Sequence, residues 1–247
     1  MGSYAEEYRS FFYNLFRFGF KLSKEELKAI MTTSGIIAFV WSFDKWGGAT
    51  FNAVEGITNF ALGLVFSMIC LFFNQIGQRI VAVHYGYDPV YESGMIGLMI
   101  ALVVTFASRG LLIFFVPGGM ILRHLAASRL GEFRYYTNDW EWAKAGFMGP
   151  LFNILLAAVL AFFKTNPYVN QLIVMNIMFA AYSLLPLPGN VGLYLFYPHL
   201  YFWTFTVGFV AVSSVLIYFI NPLLAIGLGL MLGAALMFKH YTADGRL

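Results

Sequence analysis

Three side-chain amides occupy positions at which a helical zinc site would carry its ligands and its base. Asn74, Gln75 and Gln78 stand inside a long apolar run in the frame of His-Glu-x-x-His. In that frame, residues i and i+4 share one helix face and bind one zinc ion, while the neighbouring glutamate acts on the zinc-bound water. An amide oxygen is a poor zinc ligand, and an amide at position 75 cannot accept a proton. These residue types therefore predict that neither metal binding nor general-base chemistry occurs here.

The elements that position these amides are predicted to be membrane-spanning helices. The chain is 60% hydrophobic and 11% charged, with a mean hydropathy of +0.73, a composition outside the range of ordinary soluble domains. Apolar runs of roughly 20 residues, the length that crosses a bilayer, recur along the whole chain. We therefore predict an all-α polytopic membrane protein with the lipid bilayer as its surroundings. The small net charge of +3 argues against a nucleic-acid partner.

The apolar runs predict about six transmembrane helices and one re-entrant or broken segment. The broken segment is 95–122, which is interrupted by Ser108-Arg109-Gly110 and by Pro117-Gly118-Gly119. Irregular backbone at membrane depth is tolerated where protein buries it. A plain third span over residues 95–115 is the alternative. The predicted spans are residues 30–43, 58–83, 145–163, 171–185, 201–220 and 223–238.

The chain divides into three predicted parts. Residues 1–22 alternate aromatic and charged side chains at helical spacing, which predicts an amphipathic helix at the membrane interface; a helix packed on a partner subunit is the alternative. Residues 23–200 form the transmembrane core, which Ser23 and Glu26 are predicted to open as a capping box. Residues 201–247 form the C-terminal transmembrane helices and a short tail. The distribution of Lys and Arg places the amino terminus on the cytoplasmic side of the cell membrane and both ends of 95–122 on one side.

Two further sequence features predict specific contacts of the helices. Arg79 directly follows the amide cluster and is predicted either to extend to the interface or to meet Asp88 or Glu92. Gly229 and Gly233 have Gly-x-x-x-Gly spacing, which predicts a close helix contact, either within this chain or between two copies.

Three motifs give the chain a resemblance to one family. They are the segment from Asn74 to Gly86, the segment Gly149-Pro150-Leu151-Phe152-Asn153, and the segment from Tyr182 to Gly192. In this order and spacing they resemble motifs of the site-2 protease family of intramembrane zinc metalloproteases, and most nearly those of its archaeal members. The resemblance covers roughly residues 23–200 and implies a site-2-protease-like core.

The resemblance also implies how the zinc site is altered. In that family the third motif reads approximately Asn-x-x-Pro-x-x-Pro-x-Asp-Gly, and its aspartate completes the zinc site. Here Ser183 stands at the asparagine and Val191 at the aspartate. Together with Asn74, Gln75 and Gln78 these are degenerate positions, so the expectation is a pseudoprotease with no catalytic residue, no metal and no cofactor. A carboxylate left in the membrane without its metal would cost about 2.5 to 3.5 kcal/mol.

The predicted function is binding without cleavage. The chain is expected to act as a scaffold or accessory subunit of a membrane complex, or to hold a transmembrane client in a groove formed by Asn74, Gln78, Asn153, Pro186 and Pro188. Two alternatives stay open. One is an active intramembrane zinc metalloprotease with unrecognised ligands, and the other is a transporter or channel with a polar path past Asn74, Gln78 and Arg109.

Overall fold

The computed structural model describes residues 11–47, 50–124 and 138–243. These residues form a short π-helix, eight α-helices and two strands. The π-helix is Leu15–Gly19. The α-helices are α1 (Lys24–Ser42), α2 (Ala53–His84), α3 (Met95–Ala107), α4 (Asp139–Ala161), α5 (Pro167–Ser183), α6 (Val191–Phe196), α7 (Leu200–Phe219) and α8 (Pro222–Ala243), and the strands are β1 (Tyr87–Glu92) and β2 (Gly119–His124).

Four of the described helices, α2, α4, α7 and α8, are long and apolar enough to cross a membrane. The chain is therefore a helical membrane protein, as its composition predicts. Helices α1 and α5 coincide with the other two predicted spans, but α1 opens with three charged residues and α5 has only 17 residues. That these two also cross the bilayer stays a prediction.

Capping side chains set where the helices begin. The predicted box at α1 is confirmed: Ser23 Oγ accepts from the Glu26 N–H, and Glu26 Oε2 accepts from the Ser23 N–H. Asn138 Oδ1 accepts from the Trp140 N–H at 3.0 Å. This cap starts α4 at Asp139, earlier than the predicted residue 145, because hydropathy alone does not detect a polar first turn.

Glycines bring the long helices into close contact. Helices α1 and α2 run antiparallel, and Ser67 Oγ of α2 donates to the Ser34 carbonyl of α1 at 3.2 Å. Helix α2 also packs on α4, where a Cβ at Gly77 would lie 2.5 Å from the Met148 carbonyl oxygen. Close approach of this kind is typical of helices packed within membranes. The amide-bearing helix is thus held between α1 and α4.

The predicted Gly-x-x-x-Gly contact occurs within this chain. A Cβ at Gly229 would lie 2.0 Å from Ser213 Oγ of α7, and one at Gly233 would lie 2.8 Å from the Phe205 carbonyl oxygen. Both glycines therefore serve the antiparallel packing of α8 on α7. The alternative, in which they join two copies of the chain, is not needed to explain their spacing.

The all-α prediction omitted one small sheet. Strands β1 and β2 pair antiparallel, with Tyr87 opposite His124 and Glu92 opposite Gly119. On β1 the buried positions alternate through Tyr87, Pro89 and Tyr91, which is the period of a half-buried strand. That signal is present in the sequence, but it is only a few residues long and lies between strongly apolar helices.

The sheet joins the two ends of the broken apolar segment. Helix α3 follows β1 in the chain. Just after α3 ends, Gly110 packs on Phe43 and Asp44, which lie beyond the end of α1. The chain then returns along 111–118 to β2, and Tyr91 donates a hydrogen bond from its hydroxyl to the Pro117 carbonyl. The two ends of the segment are therefore adjacent at the sheet, and that both lie on one side of the membrane stays a prediction.

Candidate degenerate metal site

Asn74 and Gln78 form a hydrogen-bonded pair in the interior of the protein. Gln78 Nε2 donates to Asn74 Oδ1 at 2.6 Å, one helical turn away. The two side chains are only 3% and 1% exposed. A Cβ at Gly149 of α4 would lie 2.4 Å from Gln78 Nε2 and 2.8 Å from Asn74 Oδ1. The backbone of α4 therefore lies directly on the amide pair, and a Cβ at residue 149 would require the two amides to move.

Val191 reaches the same face of α4 from the proline-rich segment. A Cβ at Gly146, one turn before Gly149, would lie 2.6 Å from Val191 Cγ1. We call Gly146 and Gly149 the glycine face of α4. Asn74, Gln78 and Val191 all pack on this face, so the positions that sequence motifs single out meet in space.

Buried polar contacts hold the proline-rich segment in place. Asn190 Nδ2 donates to the carbonyls of Tyr182 and Leu185 at 2.8 and 2.9 Å. A Cβ at Gly192 would lie 2.3 Å from the Leu184 carbonyl oxygen, so the first turn of α6 folds back tightly on the end of α5. Val191 thereby becomes the residue that faces α4.

A small, partly open cavity of about 10 Å³ lies beside this convergence. Gln78, Trp142 and Val191 contribute to its lining, together with Met120 and Leu122 of β2. Gln78 Oε1 and Trp142 Nε1 are both buried and have no hydrogen-bond partner among the described residues. The polar groups that these residues bring to the cavity are thus one neutral acceptor and one neutral donor, an arrangement suited to hydrogen bonding.

The remaining predicted positions, Ser183 and Gln75, do not line this cavity. Ser183 Oγ donates to the Ala180 carbonyl at 3.0 Å and stays within α5. Gln75 is 6% exposed and its Oε1 has no partner among the described residues. In the part of the chain that the structure describes, no group of three or more His, Cys, Asp or Glu side chains is arranged to hold a metal ion.

The residues of the predicted groove differ sharply in accessibility. Asn74, Gln78 and Asn153 are buried, with Asn153 at 0% exposure, whereas Pro186 is half-buried and Pro188 is exposed. A client could reach the exposed proline segment directly. It could reach the three amides only if α2 and α4 separated, so the inner part of the groove is closed in this conformation.

Sequence analysis missed the ion pair that follows the amide cluster. Arg79 is 2% exposed, and its Nη2 lies 2.7 Å from Glu26 Oε1, while its Nη1 donates to the Gly19 carbonyl at 2.6 Å. The predictions that Arg79 extends to the interface or bonds to Asp88 or Glu92 are therefore wrong. The sequence identified Glu26 only as a capping residue, because its second role joins positions that are far apart in the chain.

The Glu26 carboxylate is held in its charged form. Burial by itself raises the pKa of Glu26, but the N–H donors of Ser23 and Tyr91 and the Arg79 guanidinium outweigh that effect and leave the pKa below its ordinary value. The neighbouring Asp88 behaves in the opposite way. Burial and the nearby Glu26 charge raise the pKa of Asp88, against the smaller opposing effects of Arg123 and Arg79.

Arg109 lies far from the amides. It is exposed, and the adjacent Gly110 packs on Asp44. The turn that contains Asp44 is level with Asn59 of α2, whose Nδ2 donates to the Lys45 carbonyl at 3.0 Å. Asn74 lies about 22 Å further along that helix, at a rise of about 1.5 Å per residue. The packing of Arg109 therefore gives no support to a polar path that joins it to the amides.

The chain matches no protein-family model, no curated protein and no solved structure. The likeness to site-2 proteases thus stays a prediction from three motifs.

Proposed function

We propose that this chain is a catalytically inactive, site-2-protease-like membrane protein that acts by binding. It would serve as a scaffold or accessory subunit of a membrane complex, or hold a transmembrane client without cleaving it. The observation that carries this proposal is the meeting of Asn74, Gln78 and Val191 on the glycine face of α4. These are the positions at which the resemblance places two histidines and an aspartate.

The chemistry of the three side chains supports a role without catalysis. Zinc in proteins is held by imidazole, thiolate or carboxylate, and neither a carboxamide nor an isopropyl group replaces these ligands. Gln75 cannot act as a general base at any pH at which the protein is folded. Asn74 and Gln78 instead use their amides to bond to each other, at 2.6 Å. The former site would then act as a helix-packing contact.

The proline-rich segment offers the accessible part of the binding surface. Gly189 has a φ of +78°, and a Cβ there would lie 3.5 Å from Gly94 Cα at the start of α3. A Cβ at Gly119, at the start of β2, would lie even closer to this segment, at 3.0 Å from the Gly189 carbonyl oxygen. The segment therefore packs beside β2 and the start of α3, and Pro188 is exposed there.

Photo-crosslinking in native membranes tests this proposal. A photoreactive amino acid at Pro188 should give one defined adduct with another membrane protein, and no shortened client should appear. The matched control is the same label at Phe219, which is 80% exposed and lies at the end of α7. Equal labelling from both sites, or a client fragment whose formation depends on this chain, would contradict a specific, non-cleaving binding surface.

A further inference from the structure

The segment before α1 has one face packed on the protein and one face exposed. Leu15 is 7% exposed, a Cβ at Gly19 would lie 3.2 Å from Val83 Cγ2 of α2, and the Phe11 ring lies 6.0 Å from the His84 ring. Residues 11, 15 and 19 thus cover the end of α2. The residue that follows each of these three is an exposed phenylalanine: Phe12 is 55% exposed, Phe16 71% and Phe20 36%.

Basic side chains accompany these aromatics. Arg17, Lys21, Lys24 and Lys28 are all exposed. Of the acidic residues in the described segment 11–28, Glu25 is exposed, but Glu26 is buried in its ion pair with Arg79. We call the exposed aromatics Phe12, Phe16 and Phe20 together with the four cations the amino-terminal basic face. Its described residues carry an excess of positive charge.

The basic face is fixed to the helices behind it. Arg79 donates to the Gly19 carbonyl at 2.6 Å and pairs with Glu26 in the first turn of α1 at 2.7 Å. These contacts tie the segment to the ends of both α1 and α2. Because α2 is a candidate membrane span that ends at His84, we expect the face to lie near the level where lipid headgroups meet the hydrocarbon.

We infer that the amino-terminal basic face binds anionic phospholipid headgroups. Aromatic rings favour the boundary between headgroups and acyl chains, and lysine and arginine side chains near the surface attract anionic lipids. The face offers both, at the end of one span and on a segment whose opposite side is already packed. The bound lipids would belong to the leaflet at the His84 end of α2. This inference is independent of the proposed function, since it involves no residue of the degenerate site.

Lipid selectivity of the full chain in nanodiscs tests this inference. Spin-labelled phosphatidylglycerol and phosphatidylcholine serve as probes, and electron paramagnetic resonance measures how strongly each associates with the protein. The wild type should prefer phosphatidylglycerol by at least about threefold. The variant K21Q/K24Q/K28Q should approach equal association of the two lipids, and high salt should weaken the wild-type preference.

A charge-matched control separates this face from general electrostatics. The variant K45Q/K164Q/K239Q removes the same number of lysines elsewhere and should keep the wild-type preference. The inference is overturned if the wild type has no preference, or if the triple substitution in the basic face leaves the preference unchanged.

A separate measurement tests whether the aromatic side chains of the face lie in lipid. A nitroxide on F16C, in a C70A background, should be more accessible to oxygen, which concentrates in lipid, than to a water-soluble nickel chelate. The reverse order would place Phe16 in water and contradict the inference, whatever the lipid selectivity.

Discussion

Two polar sites that adjoin on α2 satisfy their hydrogen bonds very differently. In the first, Asn74 and Gln78 share one bond, while Asn74 Nδ2 and Gln78 Oε1 have no partner among the described residues. In the second, Arg79 and Glu26 pair with each other, and both also bond to backbone groups. The neutral site is partly satisfied, whereas the charged site is held by a network.

The difference follows from the cost of desolvation. A buried charge without a partner costs several kcal/mol, so Arg79 and Glu26 need their network, whereas a buried amide with an unmade hydrogen bond costs much less. Because Asn74 and Gln78 are neutral, α4 can pack on them without a partner for every polar atom. The contrast separates a neutral helix-packing contact from a charged network on which stability depends.

The largest effect is expected at the ion pair. R79M leaves Glu26 buried and charged without its partner, and should destabilise the protein by about 3 to 5 kcal/mol. Denaturant unfolding in detergent micelles measures this loss. The double variant R79M/E26Q removes the buried charge and keeps one side-chain oxygen, which can accept from the Ser23 N–H or from the Tyr91 N–H, so it should recover part of the loss. If the double variant is as unstable as R79M, uncompensated charge is not the cause.

A smaller effect is expected where α2 contacts α4. In G77A the new methyl group would meet the Met148 carbonyl oxygen at 2.5 Å and the Phe152 ring at 2.8 Å, at a cost of about 1 to 3 kcal/mol. The matched control is G227A, because among the described atoms none lies within 4 Å of a Cβ at Gly227. Equal unfolding free energies for G77A and G227A would show that the predicted close contact does not exist.

The charged site should also make stability depend on pH. Since the folded-state pKa of Glu26 is below its ordinary value of 4.5, its contribution is present above that value and is lost as pH falls towards the lower, folded-state pKa. The raised pKa of Asp88 acts in the opposite sense and depends in part on the Glu26 charge, so the comparison is made between D88N and D88N/E26Q, in which Asp88 does not titrate. That difference in unfolding free energy should shrink on acidification, and a constant difference would contradict the assignment.

The smallest effect is expected within the amide pair. A double-mutant cycle on N74A and Q78A should give a coupling of about 0.2 to 0.5 kcal/mol, the typical value for two side chains one turn apart on the same helix. A coupling as large as that between Arg79 and Glu26 would remove the contrast between the two sites. The unfolding free energies of the two single variants and the double variant supply the measurement.

Local patterns predicted much of this architecture. The apolar runs located the four long helices, Ser23 and Glu26 marked the start of α1, and the breaks in 95–122 indicated a chain that returns. The motifs in the sequence also single out Asn74, Gln78 and Val191, which all pack on the glycine face of α4. The small sheet was missed because its alternating pattern is short.

The ion pair was missed for a different reason. Glu26 and Arg79 are separated by 53 positions, and nothing local to either residue marks it as half of a buried pair. Each residue also had a sufficient local explanation, one as a cap and the other as an interfacial arginine. Of the amphipathic helix predicted over residues 1–22, residues 1–10 lie outside the described residues.

Zinc content tests the central claim most directly. The wild type should purify without stoichiometric zinc after exposure to zinc and dialysis, whereas the variant N74H/Q75E/Q78H/V191D, which restores the motif on the same backbone, should retain about one ion per chain. Elemental analysis measures both. Tightly held zinc in the wild type, together with cleavage of a transmembrane peptide, would contradict the account, and zinc bound by neither protein would show that these positions do not form the geometry of a metal site.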